Sequence, residues 1–218
     1  MAWFNWLLGT RVGTFVPNES RWVMLDVETS GLDPQHDSLL AIAAIGLRVD
    51  WARTSLHIVP GDSFEVVLQQ QRVKSDKDNI LLHGIGVQRQ REGLAPEQAL
   101  QAFCNFVADS PLLAFHAAFD RALIERHLQL HRMSALRNPW LDIEQLCAVT
   151  HEALRARSLD EWLAHFGIHC AVRHQAAADT LAECELLQRI WPKVAAQSKC
   201  WRDVLSLAAR QRWISRPI

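Results

Sequence analysis

The chain reads as an α/β protein with a mixed sheet covered by helices, because three β-prone runs come first and helical and strand-like segments then alternate to the end. Its 218 residues suit one well-buried core and are too few for two ordinary domains. No repeat, linker or low-complexity stretch divides them.

The first run, Trp22-Val23-Met24-Leu25-Asp26-Val27, is apolar and β-prone and stops at the turn cluster Thr29-Ser30-Gly31, as a buried strand would. A second strand is expected between Ser38 and Val49, and a third over Phe64 to Leu68, with short polar turns between them. Three consecutive strands suggest an antiparallel meander. From Pro96 to Ala108, apolar residues at Ala99, Leu100, Phe103, Phe106 and Val107 fit one face of a helix with Pro96 in its first turn. Pro111 to Phe115 reads as a fourth strand and Phe119 to His131 as a helix. Trp140 to Ile143 is strand-like, followed by helices over 144–154, 158–166 and 175–190. Lys199 to Arg212 carries Trp201, Val204, Leu205, Leu207 and Ala208 on a final helix that covers the sheet or meets a partner.

Composition narrows the class. With 49% apolar and 22% charged residues the chain is an ordinary soluble protein. A formal charge of −1 excludes nucleic-acid binding by long-range phosphate attraction alone, so any such binding is local and metal-assisted. Five scattered cysteines, without a CxxC pair, argue against a disulfide framework and for a reducing cytoplasm. The opening residues Met1 to Gly9 lack a basic leader and are too short to span a bilayer, so no membrane partner is expected. They read as a sticky arm, with Trp3, Phe4 and Trp6 packing on their own domain preferred to docking elsewhere.

Asp26 and Glu28 are two apart on the first strand, which sends both carboxylates to one face. An Asp-x-Glu is common on solvated strands, but here it ends an apolar strand where a sheet edge opens into a cleft. Asp120 follows the fourth strand at a helix start, where an acid also stabilises free amides. His174 and Asp179 would lie about 140° apart on one continuous helix and converge only if His174 precedes it. The turn at Gly167-Ile168-His169 and the helix-forming run from Gln175 make that arrangement reasonable. His127 and His131 lack the glutamate of a zinc protease and read as two surface histidines. His165, His169, Cys170 and His174 have no second half for a zinc site, and Arg89 and Arg91 fit a solvated loop.

These motifs together resemble the DEDDh, or DnaQ-like, 3′-to-5′ exonucleases, which include the proofreading subunit of bacterial replicative DNA polymerase. The likeness rests on Leu25-Asp26-Val27-Glu28-Thr29-Ser30-Gly31-Leu32, on Ala117-Ala118-Phe119-Asp120 and on His174-x4-Asp179, in that order. His83-Gly84-Ile85 and Leu141-Asp142 support it. It implies a ribonuclease H-like fold with a central five-stranded mixed sheet, an exonuclease domain over 20–192, an apolar arm over 1–19 and a helical extension over 193–218. It implies two Mg2+ (or Mn2+) held by Asp26, Glu28, Asp120 and Asp179, with His174 as general base. Thr29 and Leu32 would contact the terminal nucleotide and Phe119 would pack beneath it. His116 and Phe115 stand where the family commonly has a His-Asn pair, which bears on substrate grip. The implied substrate is the single-stranded DNA 3′ end, with RNA or short oligonucleotides as the rival, since the same metal site cuts either sugar. A non-catalytic scaffold bound to a polymerase or another protein through the termini is the rival from outside the enzymes.

Overall fold

The computed structural model describes residues 15–71 and 84–213. Trp3, Phe4, Trp6 and His83 lie outside them, so the expectation for the arm falls outside the described residues.

Five strands form one sheet in the order β3-β2-β1-β4-β5. β1 (Arg21–Thr29), β2 (Leu39–Asp50) and β3 (Ser55–Val67) are the expected antiparallel meander. α1 (Val87–Arg91) and α2 (Pro96–Val107) then carry the chain across to β4 (Leu112–Ala114), which pairs parallel to β1, and β5 (Trp140–Asp142) pairs parallel to β4. Between them lies α3 (Ala118–Leu130), and after β5 come α4 (Ile143–Thr150), α5 (Leu159–Phe166), α6 (Ala176–Ala195) and α7 (Trp201–Ala208). A 3-10 turn over Ala209–Trp213 ends the described chain.

Alternation along β1 separates two cores. Val23, Leu25 and Val27 pack with residues of α2 and α3, while Trp22 and Met24 pack with α4, α5, α6 and α7. By the same period of two, Asp26 and Glu28 continue the Trp22 and Met24 side, the side on which α6 lies. Because β1, β4 and β5 run parallel, their C-terminal ends share one edge, where α/β sheets open into a crevice.

Several expectations need correction. β3 begins at Ser55 rather than Phe64, with Pro60 and Gly61 inside it. An edge strand tolerates a missing N–H donor, and a register shift between Ile45 and Leu47 absorbs the irregularity. α6 continues through Pro192 to Ala195, while α4 stops at Thr150. Arg89 and Arg91 sit on α1 rather than in a loop, and Arg89 pairs with Glu65 at 3.2 Å. His127 is buried: its Nε2 accepts the Leu39 amide at 3.2 Å and its Nδ1 meets the Leu123 carbonyl at 2.8 Å.

The final helix covers the core. Trp201 is 4% exposed, its ring 4.8 Å from that of Trp22, and its residue amide donates to Glu19. Among the described residues no helix is long and apolar enough to cross a membrane.

Candidate active site

The acids gather at the C-terminal ends of β1 and β4. Asp26 and Glu28 come from the end of β1, and Asp179 from the first turn of α6, which packs against that strand. One carboxylate oxygen from each of the three lies within 4.8 Å of the others, the only such set of metal-ligating side chains among the described residues. Asp120, in the first turn of α3, approaches from the other layer. It is 4% exposed and its charge is the largest acting on Asp26, ahead of Glu28 and Asp179.

This crowding is felt in the carboxyl groups. Burial first, and then Asp120, Glu28 and Asp179, hold the Asp26 carboxyl well above the ordinary range. Glu28 is pushed up to about 8 by burial and then by Asp179. Asp120 is pushed up to about 7, mainly by burial. The Glu28 Oε1 atom is buried without a hydrogen-bond partner. Oxygen donors converging with too little positive charge fit hard divalent cations such as Mg2+ or Mn2+, and fit zinc less well. The residues present therefore suit the implied metal.

His174 precedes α6, with Gln175 at the N-cap, so its separation from Asp179 is not that of a continuous helix. Its backbone takes a φ of 63°, its amide donates to Asp179 Oδ2 at 2.8 Å, and its side chain is exposed at the rim. Leu32 stands 92% exposed at the tip of the loop after β1. That loop is tied down: Ser30 Oγ donates to Asp37 Oδ1 at 2.9 Å, and the Asp33 amide to Asp37 Oδ2 at 2.8 Å. A Cβ on Gly31 would fall 2.5 Å from Asp37 Oδ2, so a larger residue there would have to displace the carboxylate that ties the loop. The Thr29 hydroxyl donates to the Gly31 carbonyl. Phe119 packs against the α2 and α3 core, and the exposed His116 takes a φ of 60°.

Of four further neighbours, Arg173 and Glu183 were not singled out from the sequence, while Cys170 and Asp142 were named there without a role beside Asp179 or His116. Arg173 bridges Asp160 and Asp179, supplying the site's positive charge. Cys170 Sγ donates to Asp179 Oδ1 at 3.3 Å. Asp142 caps α4 by accepting the Glu144 amide and also accepts the His116 amide, each at 3.0 Å, which fixes the loop before Asp120. Glu183, one turn after Asp179, is 2% exposed, and its carboxyl is held far above the ordinary range by burial and then by Asp26, Asp120 and Asp179. Its i, i+4 spacing from Asp179 was the available signal.

The exonuclease family model RNase_T matches residues 23–187. Among similar curated proteins, the DNA polymerase III PolC-type protein of Clostridium perfringens is 24% identical over 176 residues, covering 81% of this chain and 12% of that protein. The DNA polymerase III subunit epsilon-like protein of Rhodobacter capsulatus is 30% identical over 179 residues, covering 81% of this chain and 24% of that protein. The chain thus spans a minor part of the length of both. Among solved structures, E. coli exonuclease I in complex with a dA16 oligonucleotide gives a TM-score of 0.67 at 16% identity, over 82% of this chain and 44% of the other. The zinc-bound form of its complex with single-stranded DNA gives 0.68 at 16% identity, over 83% and 43%. At that identity the likeness establishes the fold, which is the expected ribonuclease H-like one.

Proposed function

The chain belongs to the RNase_T exonuclease family, and from that premise we propose that it is a divalent-cation-dependent 3′-to-5′ exonuclease that trims single-stranded DNA and releases nucleoside 5′-monophosphates. The observation that carries this reading is the convergence of Asp26, Glu28 and Asp179 oxygens within 4.8 Å, with Asp120 facing Asp26.

Two Mg2+ or Mn2+ ions, when bound, would offset the charge that builds on the phosphate and favour ionisation of the attacking water. Asp26 would help to hold both ions. Glu28 and Asp179 would complete the first site with it, and Asp120 would support the second. His174 accepts the proton of the attacking water. Its backbone amide, which donates to Asp179 Oδ2, ties this residue to the acid cluster. Leu32 offers its exposed side chain to the terminal base, and Thr29 meets the same nucleotide through backbone and hydroxyl. Phe119 supports the floor, and His116 adds grip beside it.

DNA is favoured over RNA because the similar solved structures are named as complexes with DNA oligonucleotides. The polymerase III names of the curated relatives support an association with a polymerase. The test is mononucleotide release from matched single-stranded DNA and RNA, with Mn2+ or EDTA. The expected outcome is cation-dependent release from the 3′ end, faster for DNA, and lost in Asp26→Asn. An untouched 3′-labelled strand at high protein concentration would overturn the reading.

A further inference from the structure

α6 buries one stripe against the sheet, including Ala176, Thr180, Leu187, Ile190 and Val194. Glu183 stands on this stripe, where a globular helix normally carries an apolar residue. It is 2% exposed, and its Oε2 atom is buried with no hydrogen-bond partner. Its carboxyl accepts a hydrogen bond from the backbone of Phe115, just after β4, and the charges that act on it most strongly are Asp26, Asp120 and Asp179, in that order. A buried carboxyl with an idle oxygen is destabilising unless something cationic completes it.

We infer that Glu183 is a supporting carboxylate of the cation site, standing behind the 4.8 Å set of Asp26, Glu28 and Asp179 and serving a cation held beside Asp26 and Asp120. The proposal rests on the metal-dependent reading above and adds to it a residue outside the set Asp26, Glu28, Asp120 and Asp179. Helix spacing supports it: one turn separates Asp179 from Glu183, so one rigid element carries both acids on the same buried face. A purely structural glutamate would instead be expected to have both oxygens paired.

The test is Mn2+ titration followed by calorimetry and electron paramagnetic resonance, on the full chain and on Glu183→Gln, Glu183→Leu and Asp26→Asn. Glu183→Gln preserves volume, and Glu183→Leu suits the apolar stripe, so a folding failure in one leaves the other. Two Mn2+ are expected in the wild type. Each Glu183 variant should weaken one of them by roughly 10- to 100-fold, the range seen when a supporting group of a metal site is removed, and leave the other near wild type. The metal-free variants should melt no lower than the metal-free parent. Wild-type affinity at both sites in the variants, with binding still lost in Asp26→Asn, would overturn the role of Glu183 alone. A wild type that binds no Mn2+ would overturn the functional reading and this proposal together.

Discussion

In metal-free protein, Glu28→Gln should remove most of one component of the pH dependence of stability. Glu28 ordinarily titrates near 4.5 and is pushed up to about 8, so the folded state holds its proton more tightly than the unfolded chain. With more protons bound in the folded state, stability must fall as pH rises between those values. It is fully present below 4.5 and lost as pH passes 8. At about 1.4 kcal/mol per pH unit the gap gives a ceiling of roughly 5 kcal/mol. Partial access of Glu28 to water brings the expected effect nearer 2 kcal/mol, or about 5 °C in melting temperature for a chain of this size. Asp120, pushed up to about 7, acts in the same direction. His127 and His151, lowered by burial, act oppositely, so the informative quantity is the difference between variant and parent. Urea unfolding in EDTA from pH 5 to 8.5 should show the variant gaining on the parent as pH rises. Mn2+ should rescue the parent and leave the variant less changed. Parallel profiles for the two proteins would refute the reasoning.

Three further perturbations test other parts of the account. Arg173→Gln removes the cation that bridges Asp160 and Asp179, so Mn2+ affinity should rise roughly 3- to 10-fold in calorimetry; unchanged affinity would show that the bridge does not compete for Asp179. His127→Leu strands the Leu39 amide at the start of β2 and should lose about 1–3 kcal/mol in urea unfolding, against nearly nothing if the histidine were a surface group. Trp201→Ala empties the contact with Trp22 under α7 and should lose about 3–5 kcal/mol, whereas a helix free to meet a partner would lose little.

Much of this architecture was legible because its signals are local. Alternation along Trp22 to Val27 specifies both faces of β1 and sends Asp26 and Glu28 to the same side, and the turn before Gln175 lets His174 stand off the helix that bears Asp179. What escaped depends on distant partners. Pro60 and Gly61 look like a turn, and only their position on the edge of the sheet lets β3 run through them. His127 and His131 share an exposed-looking spacing, yet the partner that buries His127 is Leu39, 88 positions away. The link from Arg173 to Asp179 depends on the loop ahead of α6, and the depth of Glu183 on how that helix meets β1. Neither follows from residue type.

Asp26, Glu28, Asp120 and Asp179 are proposed to form one cation centre at the C-terminal ends of β1 and β4. Anomalous diffraction at the manganese edge, from crystals grown with Mn2+ and a nucleoside 5′-monophosphate, tests it most directly. Two peaks are expected, one among Asp26, Glu28 and Asp179 and one beside Asp26 and Asp120, with the phosphate between them. Manganese bound elsewhere, with those carboxylates unliganded, would contradict it.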